Sequence, residues 1–423
     1  MTERLLQYIW QFQHYNKADL TTEQGDLLQV INQGQYNINQ GPDFRQATIK
    51  LDDTTWVGNI EIHLKSSDWR KHHHSFDNNF SNIILHVVWL HDEDIKDINN
   101  ILLPTLCLQN RVPKLLLDRY HSILNSQDFI PSQKHLPALS ELGWSAWKER
   151  LAVERLQRKT SLVLSFLSEA NNHWEEVFWW LLARNFGMKV NADVFENIAR
   201  SLSMTVIGRH KNQIHQLEAL LLGQANLLEE KFEEEYPQLL QREYRFYKKK
   251  YLLKQLTGKP FFLRMRPANF PTLRLAQLAM LIKQSTHLFS KVKETQTVED
   301  VKELLNVTPN DYWHYHYIFN EATLFKPKVL GKQMIDNIII NTIVPVLFAY
   351  GSFTKDDQHK SKALKWLSQL APESNSITNK WKSFGIRNDN ALDSQALIEL
   401  KNSYCNEKRC LECAVGNAIL KKL

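Results

Sequence analysis

Apolar and polar positions alternate along residues 44–51 and again along residues 57–65, with Asp52-Asp53-Thr54-Thr55 between the two runs. A period of two is that of a strand, and a polar break between two such runs predicts an antiparallel hairpin. As a strand, residues 57–65 put Ile60, Ile62 and Leu64 on one face and Asn59, Glu61, His63 and Lys65 on the other. Upstream, Leu5, Leu6, Ile9 and Trp10 make an apolar stripe that predicts a helix over residues 2–12, capped by Thr2. Residues 26–31 predict a strand closed by Asn32-Gln33-Gly34. Downstream, residues 77–82 predict a short helical turn. Residues 83–90 (IILHVVWL) are apolar on both faces, the mark of a central strand. Residues 101–108 predict an edge strand, because Pro104 lacks the donor that a central position needs.

From about Pro113 the period changes to about 3.6. Helices are predicted over residues 147–167, 174–186, 192–202, 214–222, 273–282, 298–305, 334–347, 363–370 and 392–400. The pattern is that of an α+β chain: a small mixed β-sheet with flanking helices over residues 1–125, then a larger all-α part over residues 126–423, joined by a linker at residues 126–137.

Composition narrows this picture only a little. A chain of 423 residues with 43% hydrophobic and 23% charged positions can bury a large core in two or more parts. A net charge of +6 permits a nucleic-acid partner without requiring one. No apolar run reaches bilayer length; residues 334–350 come nearest, and they carry Asp336 and two Asn. The N-terminus has no basic-then-apolar signal pattern. Four Cys do not make a disulfide framework in a chain this long, so reduced thiols in the cytoplasm are expected.

The candidate chemistry is concentrated in the hairpin. Asp43 precedes one strand, and Glu61, His63 and Lys65 share one face of the other. If the hairpin brings Asp43 beside Glu61, two carboxylates share one site, an arrangement that usually has a divalent cation between them. Pro42-Asp43, a strand, then Glu61-Ile62-His63 resembles the PD-(D/E)XK nuclease signature, which spans about the first quarter of the chain. The resemblance implies a restriction-endonuclease-like fold and a magnesium or manganese ion held by Asp43 and Glu61, with phosphodiester hydrolysis of DNA or RNA. His63 stands at the Lys position of that signature and Lys65 lies one step further along the face. His63 or Lys65 would then steady the developing charge, or neutral His63 would accept the proton of the attacking water. The chain as a whole is also similar to an uncharacterised bacterial family.

Two other readings compete. The first keeps the fold and nucleic-acid binding or assembly without catalysis, motivated by the absent Lys at position 63. In the second, Asp68, His72, His74 and Asp77, joined by His63, hold a transition metal in a hydrolase for a small substrate, since His72 and His74 in an extended segment point one way. His86, inside an apolar strand, reads as a core histidine. At the C-terminus, Cys405, Cys410 and Cys413 would chelate zinc or an iron–sulfur cluster if a helix sets the last two one turn apart, or else serve as small apolar residues in a buried helix. Two basic stretches are candidates for phosphate contacts. One holds Lys248 and Lys249 among aromatics, and the other has Arg264, Arg266 and Arg274 around a helix start.

Overall fold

The computed structural model describes residues 1–72, 74, 77–97, 99–136, 138–285 and 287–421; of Asn78 and His135 it describes the backbone. The chain forms two compact units, one made of Met1–Trp144 with Lys401–Leu423 and the other of Ser145–Leu400.

In the first unit, Thr2 caps α1 (Glu3–Gln11) by accepting from the Leu5 amide, and the predicted stripe of Leu5, Leu6, Ile9 and Trp10 is buried. The sheet contains β1 (Leu28–Asn32), β2 (Gln35–Tyr36), β3 (Phe44–Leu51), β4 (Thr54–Lys65), β5 (Ile83–Leu90) and β6 (Thr105–Cys107). Its order is β1-β3-β4-β5-β6, with β2 also paired to β3. The pairs β1/β3, β2/β3 and β3/β4 are antiparallel, whereas β4/β5 and β5/β6 are parallel. The hairpin is therefore as the alternation predicts, but its turn is tighter, with Asp52 in the left-handed region at φ +49° and β4 starting at Thr54. The edge strand is also shorter than residues 101–108 and begins just after Pro104. Between β4 and β5 comes α2 (Asp68–Lys71), whose Trp69 is fully buried with Phe80, Ile83, Ile95 and Leu103. Gly58 lets β4 and β5 approach each other, because a Cβ there would lie 2.5 Å from Ile84 Cγ2 and 2.8 Å from the Asn82 carbonyl.

The alternation in β4 misleads in one respect. Residues 60–63 are all buried, with Glu61 at 6% exposure and His63 at 0%. On the polar face Glu61 and His63 are therefore enclosed, while Lys65 at the end of the strand is exposed.

After β6 comes α3 (Lys114–Asn125). The expected linker runs on as irregular chain with a short turn at Gln133–His135, still inside the first unit; its last residue, Pro137, lies outside the described residues. The long helix α4 (Glu141–Glu169) leads into the second unit, whose regular elements among the described residues are helices. There α5 (Trp174–Phe186) and the helix Val298–Leu305 coincide with the periodic segments, and α6 (Met188–Ser201) starts earlier than its pattern. Among the described residues, Lys332–Thr354 is the one helical stretch long and apolar enough to cross a membrane, and most of it is buried inside the unit as a core element. It contains a π-helical turn at Ile339–Ile343.

The Cys segment is not one continuous helix. Cys405 ends a π-helical stretch, Cys410 lies in a short 3-10 turn, and Cys413 is extended ahead of the final helix, Ala414–Lys421. This segment returns to the first unit, where Arg4 pairs with Glu412 and Lys408 donates to the Leu124 carbonyl at 2.6 Å.

A buried carboxylate and histidine cluster

The register Phe44↔Ile60 sets Asp43 opposite Glu61 at the mouth of the hairpin. The Asp43 amide donates to Glu61 Oε2 at 3.1 Å, and the Ile62 amide donates to Asp43 Oδ2 at 3.1 Å. Each carboxylate is thus tied to the other strand's backbone, and the two acids are held side by side. Asp43 Oδ1 also accepts from Gln7 Nε2 at 2.9 Å, and Tyr36 donates its hydroxyl to Gln7 Oε1 at 3.2 Å. With its Oε2 so occupied, Glu61 turns Oε1 towards the imidazoles, 3.4 Å from His74 Nε2 and 3.7 Å from His63 Nε2.

The histidines come from three elements. His63 lies on β4, His72 follows α2 as its C-cap, and His74 stacks on Phe80 with ring centroids 3.8 Å apart. The chain turns from β4 into α2 because Asp68 Oδ2 accepts from the Lys65 amide, and Trp69 pins the turn from below. Trp69 also touches the rings of His63, His74 and His86. One ligand nitrogen each from His63, His72 and His74 lies within 4.8 Å of the others. His63 Nε2 is 3.1 Å from His72 Nδ1, and His63 Nδ1 is 2.9 Å from His86 Nε2. The cluster has a buried floor, His63 and His86, and an exposed rim, His72.

Burial governs the electrostatics. It pushes the Asp43 carboxyl well above the usual range, and the Glu61 charge pushes it further. Glu61 is raised in the same way by burial. His63 is driven down to about 2 by burial and then by His86, His74 and His72, so its imidazole is neutral. His86 goes down to about 3, again chiefly through burial. Burial thus works against the protonated, charge-stabilising form of His63, and the neutral ring is a lone-pair donor. Among buried side-chain atoms, His74 Nε2 and His86 Nδ1 have no hydrogen-bond partner. Imidazole nitrogens from His63, His72 and His74 near a carboxylate oxygen of Glu61 fit a cation of the zinc or manganese type. His63 would then donate Nδ1–H to His86 Nε2, the outer hydrogen bond that fixes a ligand's tautomer.

The remaining expected residues fall elsewhere. Lys65 is exposed, and its charge acts on Asp92. Asp68 is engaged by Lys71 Nζ and the Lys65 amide, and Asp77 Oδ1 by the amide and side chain of Asn79. Cys405, Cys410 and Cys413 form no disulfide, and burial pushes the Cys410 thiol up to about 12. Among the described residues, their sulfurs do not converge as the three histidine nitrogens do. In the second unit, Lys249, Arg264 and Arg266 are exposed, and Lys248 is half-buried over the Tyr244 ring. Arg274 is not on a surface at all. It is 6% exposed and donates to Gln277 Oε1 and Asn269 Oδ1, which removes it from the phosphate-contacting set.

Glu3, Gln7 and Trp69 belong to the site without having been singled out in the sequence. Glu3 is half-buried and raised by burial, and its charge is felt by His72, His74 and Asp43. The available signal was the i, i+4 spacing of Glu3 and Gln7 on the side of α1 away from its apolar stripe.

A family model described as "Protein of unknown function (DUF2851)" matches residues 3–376. No curated protein and no solved structure matches the chain.

Proposed function

The chain belongs to this family of unknown function, and we propose that it is a metal-dependent hydrolase whose centre is Glu61 with His63, His72 and His74. The observation that carries this reading is the convergence of three imidazole nitrogens within 4.8 Å of one another, with Glu61 Oε1 beside two of them. Three imidazoles and one carboxylate favour a transition metal over magnesium, whose preference is for oxygen. Such an ion, when bound, lowers the pKa of a coordinated water and polarises the bond to be cleaved. The protein's own part is to hold His63 and Glu61 away from bulk water, with His72 at the solvent-facing rim. Asp43 and Gln7 fix the Glu61 strand, Trp69 and Phe80 fix the rings, and His86 sets the His63 tautomer.

Phosphodiester hydrolysis of DNA or RNA is the second reading, favoured by the meeting of Asp43 and Glu61 across the hairpin, as the PD-(D/E)XK resemblance implies. One experiment separates the two. Purified protein is incubated with plasmid, single-stranded DNA and RNA, and in parallel with small phosphate and carboxylate esters, with zinc, manganese or magnesium added. Hydrolysis supported by zinc or manganese and lost in Glu61→Ala and His74→Ala is the expected outcome. Cleavage of nucleic acid, supported by magnesium and retained in His74→Ala, would favour the nuclease with a two-carboxylate ion. Turnover of no ester by the wild type would overturn both.

A further inference from the structure

The helical unit contains a cavity of about 540 Å³, within the roughly 300–1,000 Å³ typical of small-molecule sites. Leu162, Val163, Leu181, Pro345 and Val346 give it apolar walls. Its polar lining includes Lys159, Asn185, Asn341, Thr342 and the exposed Lys189. Lys159 donates Nζ to Asn341 Oδ1 at 3.1 Å, and among the described residues this ammonium has no carboxylate partner. Nearby carboxylates are already engaged. Glu399 accepts from both Arg155 and Arg158, and Glu373 accepts from Gln395. Arg184, also on the lining, is paired to Asp193 and Glu196. Asn185 donates Nδ2 to Thr342 Oγ1 at 3.0 Å and to the Asn337 carbonyl at 3.5 Å, so its Oδ1 is the acceptor left over, buried and without a partner.

The backbone around the cavity is irregular on two sides. One wall carries the π-helical turn Ile339–Ile343, which supplies Asn341 and Thr342. Another carries Met188, held in the left-handed region at φ +54° where α5 passes into α6. π-Turns and left-handed non-glycine residues are concentrated at functional sites, because the surrounding fold must offset their cost.

We infer that this cavity binds a small carboxylate with an apolar body, its head group against Lys159 and its chain among Leu162, Val163, Leu181 and Val346. Of the cations on the lining, Arg184 is paired and Lys189 is exposed to solvent, so Lys159 is the one held away from solvent without a carboxylate. One such ammonium against apolar walls matches a carboxylate head on an apolar ligand. Burial, with the charges of Arg155 and Arg158, takes Lys159 down to about 7, and a carboxylate in place would restore the protonated form.

The test is calorimetric titration of the full chain with octanoate and, separately, octanol at neutral pH. Octanoate is expected to bind saturably at one site, with octanol at least tenfold weaker. Lys159→Met is expected to weaken octanoate at least tenfold and leave octanol unchanged. Ala192→Phe, which fills the cavity from its wall, is expected to abolish both, and it carries the test if Lys159→Met fails to fold by circular dichroism. No saturable octanoate heat at millimolar concentration, equal binding of alcohol and acid, or unaltered octanoate binding in Ala192→Phe would overturn the inference.

Discussion

At the scale of single residues, burial decides what each ionisable group can do. Glu218 in the helical unit is a second case beside Glu61. It is 0% exposed, and its Oε2 accepts from Trp313 Nε1 at 2.8 Å and Tyr236 Oη at 3.0 Å. Burial raises its carboxyl from 4.5 to about 8. Between these values the folded protein keeps a proton that the unfolded chain has lost. Stability therefore falls as pH rises through that window, by about 1.4 kcal/mol per pH unit from this group alone. Glu218→Gln keeps the shape and removes the titration, so its stability, followed by urea unfolding from pH 5 to 8, should fall less steeply than that of the wild type. Parallel curves would contradict this assignment. The same residue-level view shows what could be read in advance. Asp43, Glu61, His63, His72 and His74 stand out by type and spacing, but the burial of Glu61 and His63 does not, because it comes from packing such as that of Trp69 on His63, which no alternation reports. His86 was legible as a core histidine, yet its bond to His63 requires the parallel register Glu61↔His86, which no local pattern encodes.

At the scale of elements, the pairing of β4 with β5 positions the cluster, since it brings His86 to His63. Gly58 permits that pairing at its narrow point. Gly58→Ala should destabilise the first unit by about 1–3 kcal/mol through overpacking against Ile84 and the Asn82 carbonyl. A loss under about 0.5 kcal/mol in urea unfolding would show that β5 relaxes freely. The hairpin and helices were legible because each has a period of its own: two for β3 and β4, and 3.6 for α5 and the helix Val298–Leu305. Irregular features were not. The β2 strand is only two residues long, the Gln46 bulge rests on one left-handed residue at φ +56°, and the π-turn Ile339–Ile343 looks like ordinary helix in its apolar pattern.

At the scale of the whole molecule, the two units do not follow chain order. The first closes only when Lys401–Leu423 returns to it, with Leu411, Val415, Ile419 and Leu420 buried and Arg4 paired to Glu412. Nothing in a local window reports such a return; the Cys spacing drew notice for its chemistry and gives no sign of how the segment packs. Gly416 illustrates this, since a Cβ there would lie 2.0 Å from the Cys410 carbonyl. A chain ending at Leu400 should therefore lose thermal stability in the first unit, read as loss of metal uptake at temperatures that the full chain tolerates. Unchanged uptake would show that the segment is dispensable.

If Glu61 and three histidines make one metal centre, cobalt(II) titration of metal-free protein will report it. One equivalent of cobalt is expected, with the visible absorption of a nitrogen- and oxygen-ligated ion of low coordination number, retained in Lys65→Ala and lost in His63→Ala and His74→Ala. Absence of the band in the wild type, or its persistence in both histidine variants, would contradict it.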